Sequence, residues 1–297
     1  MHDLSSYVEQ GGLGGGGFAD VFRAVHIATK EVVALKKSRS DEEAKARTRR
    51  EIEIQGLRLH GNIMPVLDSA DDGSWFTMPL ATGDLGRVHD RHPLRDADVL
   101  RLVEDCAAAL GVAHRNGYVH RDLSPPNILW MGDRWVVADW GCVKMPDGKH
   151  RKALTRARTA MGTVPWAAPE ALEDGREVDA RADIFSLGRI VGWLVSGKVP
   201  EPNKESSIDG TSPWRKFVIE TTRADVDERP GARSGHAPPE SSERRGSAGR
   251  VRRRSSRGAR QRSRQDTARP GAAVRASERV ALRPATGTAP EPFAERC

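Results

Sequence analysis

"HRDLSPPNIL", residues 120–129, is the stretch on which the reading of this chain turns. Asp122 and Asn127 stand beside His120 and Arg121 in a loop pinned by Pro125 and Pro126. An aspartate in such a loop can accept a proton, and a nearby asparagine can offer a neutral oxygen to a cation. A polar turn would carry the same letters, so the sequence on either side has to decide.

Downstream, "WVVADWGCVK" (135–144) is an apolar strand that ends in Asp139 and is followed by Trp140 and Gly141. A carboxylate at a strand end, with glycine after it, meets a magnesium ion without crowding. Asn127 supplies a second oxygen, and magnesium takes such hard donors together with substrate phosphates. Asp122 is then left to orient a hydroxyl and take its proton. Each residue has a plain structural reading as a cap or turn, but their order and spacing together favour chemistry.

Upstream, "LGGGGFADVFRA" (13–24) places glycines where two strands meet, so backbone N–H groups can approach phosphates closely. Alone, such a run is more often a flexible turn. "VVALKK" (32–37) follows, and strand alternation puts Lys36 on the face of Val32 and Ala34. An ammonium there needs an anion. Glu51, on the charged segment 40–59, is the first choice and Glu53 the second, with Lys37 as the alternative lysine.

Coarse patterning divides the chain. The first 80 or so residues alternate apolar and polar in short runs, interrupted by one charged helix at 40–59. From Asp84 to Pro230 the pattern is helical. Residues 96–117 repeat near 3.6 and stop at Gly117, and 183–197 is apolar on nearly every side. Beyond Pro230 periodicity vanishes, and Phe293 is the one aromatic residue. That composition cannot bury enough apolar surface to order itself, which predicts a disordered tail. No internal repeat is visible.

Charge follows the same division. Residues 231–297 hold 16 Arg, no Lys and 6 acidic residues, whereas 1–230 hold 32 basic and 35 acidic ones, so the basic character belongs to the tail. The 3 cysteines form neither a disulfide framework nor a zinc spacing. There is no signal-peptide pattern, and the longest apolar runs, such as "IVGWLV" (190–195), are too short to span a bilayer. These features predict a cytoplasmic protein with no membrane partner.

Taken together, the segments resemble the eukaryotic-like, bacterial-type serine/threonine protein kinase family. The likeness runs in order through "LGGGGFADV", "VALK", "HRDLSPPN", "DWG", "APE" (168–170), "DIFSLG" (183–188) and "DERP" (227–230), and so covers residues 7–230. It implies an α+β, bilobal fold: a β-rich N-lobe and hinge over 1–81, a mainly α C-lobe over 82–230, and a tail over 231–297. It implies ATP as cofactor, with Mg2+ or alternatively Mn2+, and protein substrates offering serine or threonine.

Position by position, the resemblance places Leu13, Gly14, Gly16, Val21, Ala34 and Leu129 around the nucleotide. Met78 guards the rear pocket, with the Pro79 carbonyl and the Ala81 N–H as hinge contacts. Lys36 would hold the phosphates and pair with Glu51. Asp122 would be the base, and Asn127 and Asp139 the metal ligands. Arg121 would bind a phosphate on the activation segment, with Thr155 and Thr159 as acceptors. Thr163 would contact the catalytic aspartate. Asp183 would brace the catalytic loop, and Glu170 would pair with Arg229.

Three positions depart from the pattern. Ser124 replaces a lysine that would neutralise the transferring phosphate, Ala19 replaces a third glycine, and Trp140 replaces a phenylalanine. Ser124 keeps a nucleotide-binding pseudokinase or scaffold open as the alternative function. The Arg-rich tail could hold nucleic acid backbones without sequence preference, but it lacks aromatics for base stacking, so no specific nucleic acid is expected.

The resemblance also calls for an amphipathic helix after "DERP", and 231–265 has no such face. The body uses 10 Lys and 22 Arg against 0 and 16 in the tail. That change reads as a shift of reading frame near Pro230 in a GC-rich gene, with a true basic tail as the alternative.

Overall fold

A computed structural model describes residues 3–146, 164–172, 178–202, 204, 206 and 208–231. The chain opens with β1 (Tyr7–Gly15), β2 (Ala19–His26) and β3 (Val32–Ser38), then α1 (Glu42–Gly56), β4 (Asp68–Ser69) and β5 (Trp75–Pro79). The five strands form one antiparallel sheet in the order β1-β2-β3-β5-β4. Side chains alternate across β3. Val33 and Leu35 pack with Ala24 and Trp75 on one face, while Ala34 joins Met64, Phe76 and Met78 on the other. Lys36 shares the face of Ala34.

The Asp41 side chain caps α1 by accepting from the Ala44 N–H at 2.8 Å, and Glu42 and Glu43 fill the first turn where the helix dipole favours negative charge. The helix buries Ala44, Arg47, Thr48, Glu51, Ile54 and Gln55. That inward face is mostly polar, which sets this helix apart from one that only fills a core.

The second part is helical. It holds α2 (Leu85–Arg91), α3 (Asp96–Arg115), α4 (Pro169–Leu172), α5 (Arg181–Ser196) and α6 (Arg215–Thr221). A small sheet of β6 (Gly83–Asp84), β7 (Ile128–Trp130) and β8 (Trp135–Val137) lies among them. Val99, Leu102, Cys106, Leu110 and Ala113 form the buried stripe of α3 and join Leu187, Ile190 and Val191 of α5 in the largest core. Helix α3 ends where Gly117 takes φ +81°, a conformation glycine adopts without strain. Gly188 lets α5 meet α6, since a Cβ there would collide with Thr221.

The α+β class and its division into a strand-rich and a helical part stand as the sequence predicts. Strand β8 is one respect in which the chain differs: it ends at Val137, two residues before Asp139. The segment after Gly231, with the expected disordered tail and the missing helix, lies outside the described residues.

Candidate active site

The glycine hairpin comes first. Gly14 faces Val21 and Gly15 faces Asp20 across β1 and β2, with register shifts at Glu9/Gly11 and Gly12/Gly14. Gly14, Gly16 and Gly17 have no positive φ, and a Cβ on any of them would meet nothing within 4 Å. Neither backbone conformation nor crowding within the chain therefore explains why they are bare. Their bare backbone leaves room for a ligand to approach closely. Beneath the hairpin, Leu13, Val21, Ala34, Met78 and Leu129 belong to one apolar cluster, in which Leu13, Val21 and Leu129 remain partly exposed. The cluster draws on both parts of the fold, and its apolar, partly exposed side chains could receive a flat heteroaromatic ring. At its rim β5 ends at Pro79, paired with Val33, and Ala81 follows, half-buried.

Lys36 Nζ lies 2.6 Å from Glu51 Oε2 and 3.3 Å from Asp139 Oδ1. Burial opposes the Lys36 charge, but Asp139 and Glu51 outweigh it and hold the ammonium above the usual lysine range. Burial also pushes the Glu51 carboxyl up to about 7, with Lys36 opposing and Asp139 adding like charge. Asp139 ends below the ordinary carboxylate range: burial raises it, and Lys36, Arg47 and His120 more than offset that. Glu53 is exposed, on the far side of α1. Lys37 pairs with Glu9 at 2.8 Å.

The loop around Asp122 is held from below. Asp183, fully buried, accepts from the His120 N–H at 2.9 Å, from the Arg121 N–H at 2.8 Å and from His114 Nε2 at 2.7 Å. The Asp122 N–H donates to His120 Nδ1 at 3.2 Å, so the other ring nitrogen carries the hydrogen that reaches Ala138 O at 3.0 Å. His120 meets Trp140 edge-on at 4.6 Å. Asn127 Nδ2 donates to Asp122 O at 2.8 Å, which ties the loop's two ends. Arg121 and Asp139 both adopt left-handed backbone, φ 68° and 59°. Two non-glycine residues held there, one of them next to Asp122, are the kind of strain found at functional sites.

Farther down, Arg229 grips Glu170 with two bonds of 2.6 and 3.0 Å. Thr155, Thr159 and Thr163 lie outside the described residues.

Arg47, Arg50 and Cys142 are residues that the sequence reasoning missed. Arg47 Nη2 donates to Cys142 Sγ at 2.7 Å and lies 4.0 Å from Asp122 Oδ2. Arg50 Nε donates to Gly141 O at 3.2 Å. A signal was present, since Arg47 stands one helical turn before Glu51 and so shares its face.

Among the described residues no cluster of three acidic, histidine or cysteine side chains could cage a metal alone. Asn127 and Asp139 offer two hard oxygen ligands, a set that suits magnesium completed by phosphates and water. The same arrangement is a family's signature. The profile of the protein kinase domain matches residues 7–241. The chain belongs to the protein kinase family.

Among curated proteins this chain is 36% identical over 203 residues to the serine/threonine-protein kinase pkn3 of Myxococcus xanthus. It is 34% identical over 201 residues to the DNA damage-responsive serine/threonine-protein kinase RqkA of Deinococcus radiodurans. It is also 34% identical over 197 residues to the serine/threonine-protein kinase PknD of Mycobacterium tuberculosis. Each match covers 63% of this chain but 37% of pkn3 and 29% of the other two, so the likeness spans about a third of those relatives' length. Among the described residues no helix is long and apolar enough to cross a membrane.

Proposed function

We propose that this kinase transfers the γ-phosphoryl group of ATP, with Mg2+, to serine or threonine hydroxyls of proteins, itself included. The observation that carries this is Lys36, which bridges Glu51 and Asp139 beneath a bare glycine hairpin. Lys36 positions the phosphates, and Glu51 fixes Lys36. Asn127 and Asp139 would hold the metal, which when bound neutralises charge on the phosphates. Asp122 orients the substrate hydroxyl and takes its proton as that oxygen bonds to phosphorus, while the bond from phosphorus to the ADP oxygen breaks. The apolar cluster seats the base, with Pro79 O and Ala81 N–H at its edge. Arg121 would receive phosphate placed on Thr155 or Thr159, and Thr163 would touch Asp122. Glu170, Arg229 and Asp183 hold the lobe's geometry. We place the protein in the cytoplasm, on the ground that Cys106 and Cys142 are buried thiols outside any disulfide.

The test is incorporation of labelled phosphate into the protein and a generic protein acceptor, followed by mapping of the modified residues. Label on serine and threonine, lost in Asp122→Asn, is the expected result. ATP binding without transfer would make the protein a nucleotide-binding pseudokinase instead.

A further inference from the structure

Ser124 leaves a gap in this site. Its side chain is buried and its hydroxyl finds no partner, yet it occupies the place of a cation that would face the transferring phosphate. Lys36 does not fill the gap, because Glu51 and Asp139 anchor its ammonium where it would hold the nucleotide's other phosphates. Arg50 is turned to the Gly141 carbonyl.

Arg47 is placed differently. It is nine-tenths buried, with its guanidinium 4.0 Å from Asp122 Oδ2 and stacked 4.2 Å over the ring of Phe18. Phe18 lies in the turn between β1 and β2, the tip of the glycine hairpin. The guanidinium therefore spans from the loop that would cover the phosphates to the carboxylate that would take the proton. Its charge is also felt by Asp139 and Glu51.

The position is fixed by packing. The Gly141 turn packs directly on it, since a Cβ there would sit in ordinary contact with Arg47 Nε at 3.4 Å and Arg47 Cβ at 3.5 Å. Cys142 Sγ accepts one of its hydrogens at 2.7 Å. That bond is to a weak, soft acceptor, which leaves donors of a five-donor group for stronger acceptors such as phosphate oxygens.

We propose that Arg47, from α1, is the cation that stabilises the transferring phosphoryl group in place of the lysine absent at position 124. This rests on the phosphoryl-transfer function proposed above. It adds a dependence that family members with the lysine do not need: the cation arrives with α1, so any displacement of that helix removes both Glu51 and the phosphate's counter-charge together.

The experiment compares wild type, Arg47→Gln, Ser124→Lys and the double variant. Each is measured for kcat and KM for ATP, and for ATP and ADP affinity by calorimetry with magnesium. Arg47→Gln should lower kcat by about tenfold or more. It should weaken ATP relative to ADP on the order of several-fold, because only ATP carries the γ-phosphate. Adding Ser124→Lys to Arg47→Gln should recover most of both losses, and by a larger factor than Ser124→Lys gives in wild type.

A loss that Ser124→Lys does not recover in either readout makes Arg47 a packing residue and overturns the proposal. A rate that rises in Arg47→Gln makes it a brake on Asp122, and overturns it equally. If Arg47→Gln melts well below wild type, Arg47→Lys replaces it in the cycle. That variant keeps the charge, so it should retain the ATP preference over ADP, and loss of the preference there counts against the proposal. Wild-type protein with no Asp122-dependent transfer would sink the function itself, and that is a different result from all of these.

Discussion

Two of the buried ion-pair systems among the described residues are built on opposite plans. In one, the Lys36 ammonium of the N-lobe is shared by two carboxylates, Glu51 at 2.6 Å on α1 and Asp139 at 3.3 Å from the C-lobe. In the C-lobe, Arg229 and Glu170 meet fork to fork, and the remaining guanidinium hydrogens go to the carbonyls of Arg223, Ala224 and Arg181. Arg229 is also stacked 4.7 Å over Phe185. A pair with every donor used has nothing left to bind, so it braces. A cluster whose carboxylate stays partly exposed can still accept a ligand, and its charge balance then includes what it receives.

Asp122→Asn should give the largest effect, because it removes the base while keeping the shape. Transfer should fall by about a thousandfold or more, with ATP affinity and melting temperature near wild type. Wild-type turnover in that variant would remove Asp122 from the mechanism.

Arg229→Met tests the other side of the comparison. It strands Glu170 in a dry site, and breaking one partner of a buried pair costs about 3–5 kcal/mol. Chemical denaturation should show that loss as a lower midpoint. A midpoint within error of wild type would mean that Glu170 gains water, so the pair would not be a brace. Lys36→Met should behave in the reverse way. Transfer should drop by roughly a hundredfold, yet stability should fall less than for Arg229→Met, because Glu51, already pushed up to about 7, can take a proton and lose its charge. A stability loss as large as that of Arg229→Met would erase the distinction between the two systems.

How much of this was legible beforehand follows from the same contrast. Asp122, Asn127, Asp139, Glu170 and Arg229 each sit in a short fixed pattern of letters, and strand alternation was enough to place Lys36 on the face of Ala34. The strand and helix divisions were legible because hydrophobic period changes sharply near Asp84. Arg47 was not, because an arginine in a charged helix looks like a solvated one. What buries it is the turn Trp140–Cys142, brought against α1 by the fold, and no local period reports that. The left-handed backbone of Arg121 and Asp139 was equally hidden, since neither residue type announces it. His114 was missed because its partner, Asp183, lies 69 residues away.

The smallest effect concerns pH, and it separates the two lobes most cleanly. Asp183 is held below the ordinary carboxylate range: burial raises it, and His114, His120 and the Arg121 N–H more than offset that. A depressed folded value means the unfolded chain binds the proton first, so this stabilisation is present above the ordinary carboxylate range and is lost as pH falls. Glu51 works the other way. Its folded value, about 7, lies above the ordinary 4.5, so the native state holds a proton that the unfolded state has released. Its contribution is full below the ordinary value, declines as pH rises toward 7, and is constant beyond. Wild type should therefore lose melting temperature between about pH 5 and 7 relative to Glu51→Gln, with the two curves parallel above 7. Asp183→Asn should instead flatten the acid side alone. Transfer should climb by a few-fold through the same interval as Glu51 ionises and fixes Lys36, and Glu51→Gln should be slow and show no such climb. Identical wild-type and Glu51→Gln curves from pH 5 to 7 would mean Lys36 keeps Glu51 ionised throughout, and the N-lobe cluster would then be as closed a pair as Glu170 and Arg229.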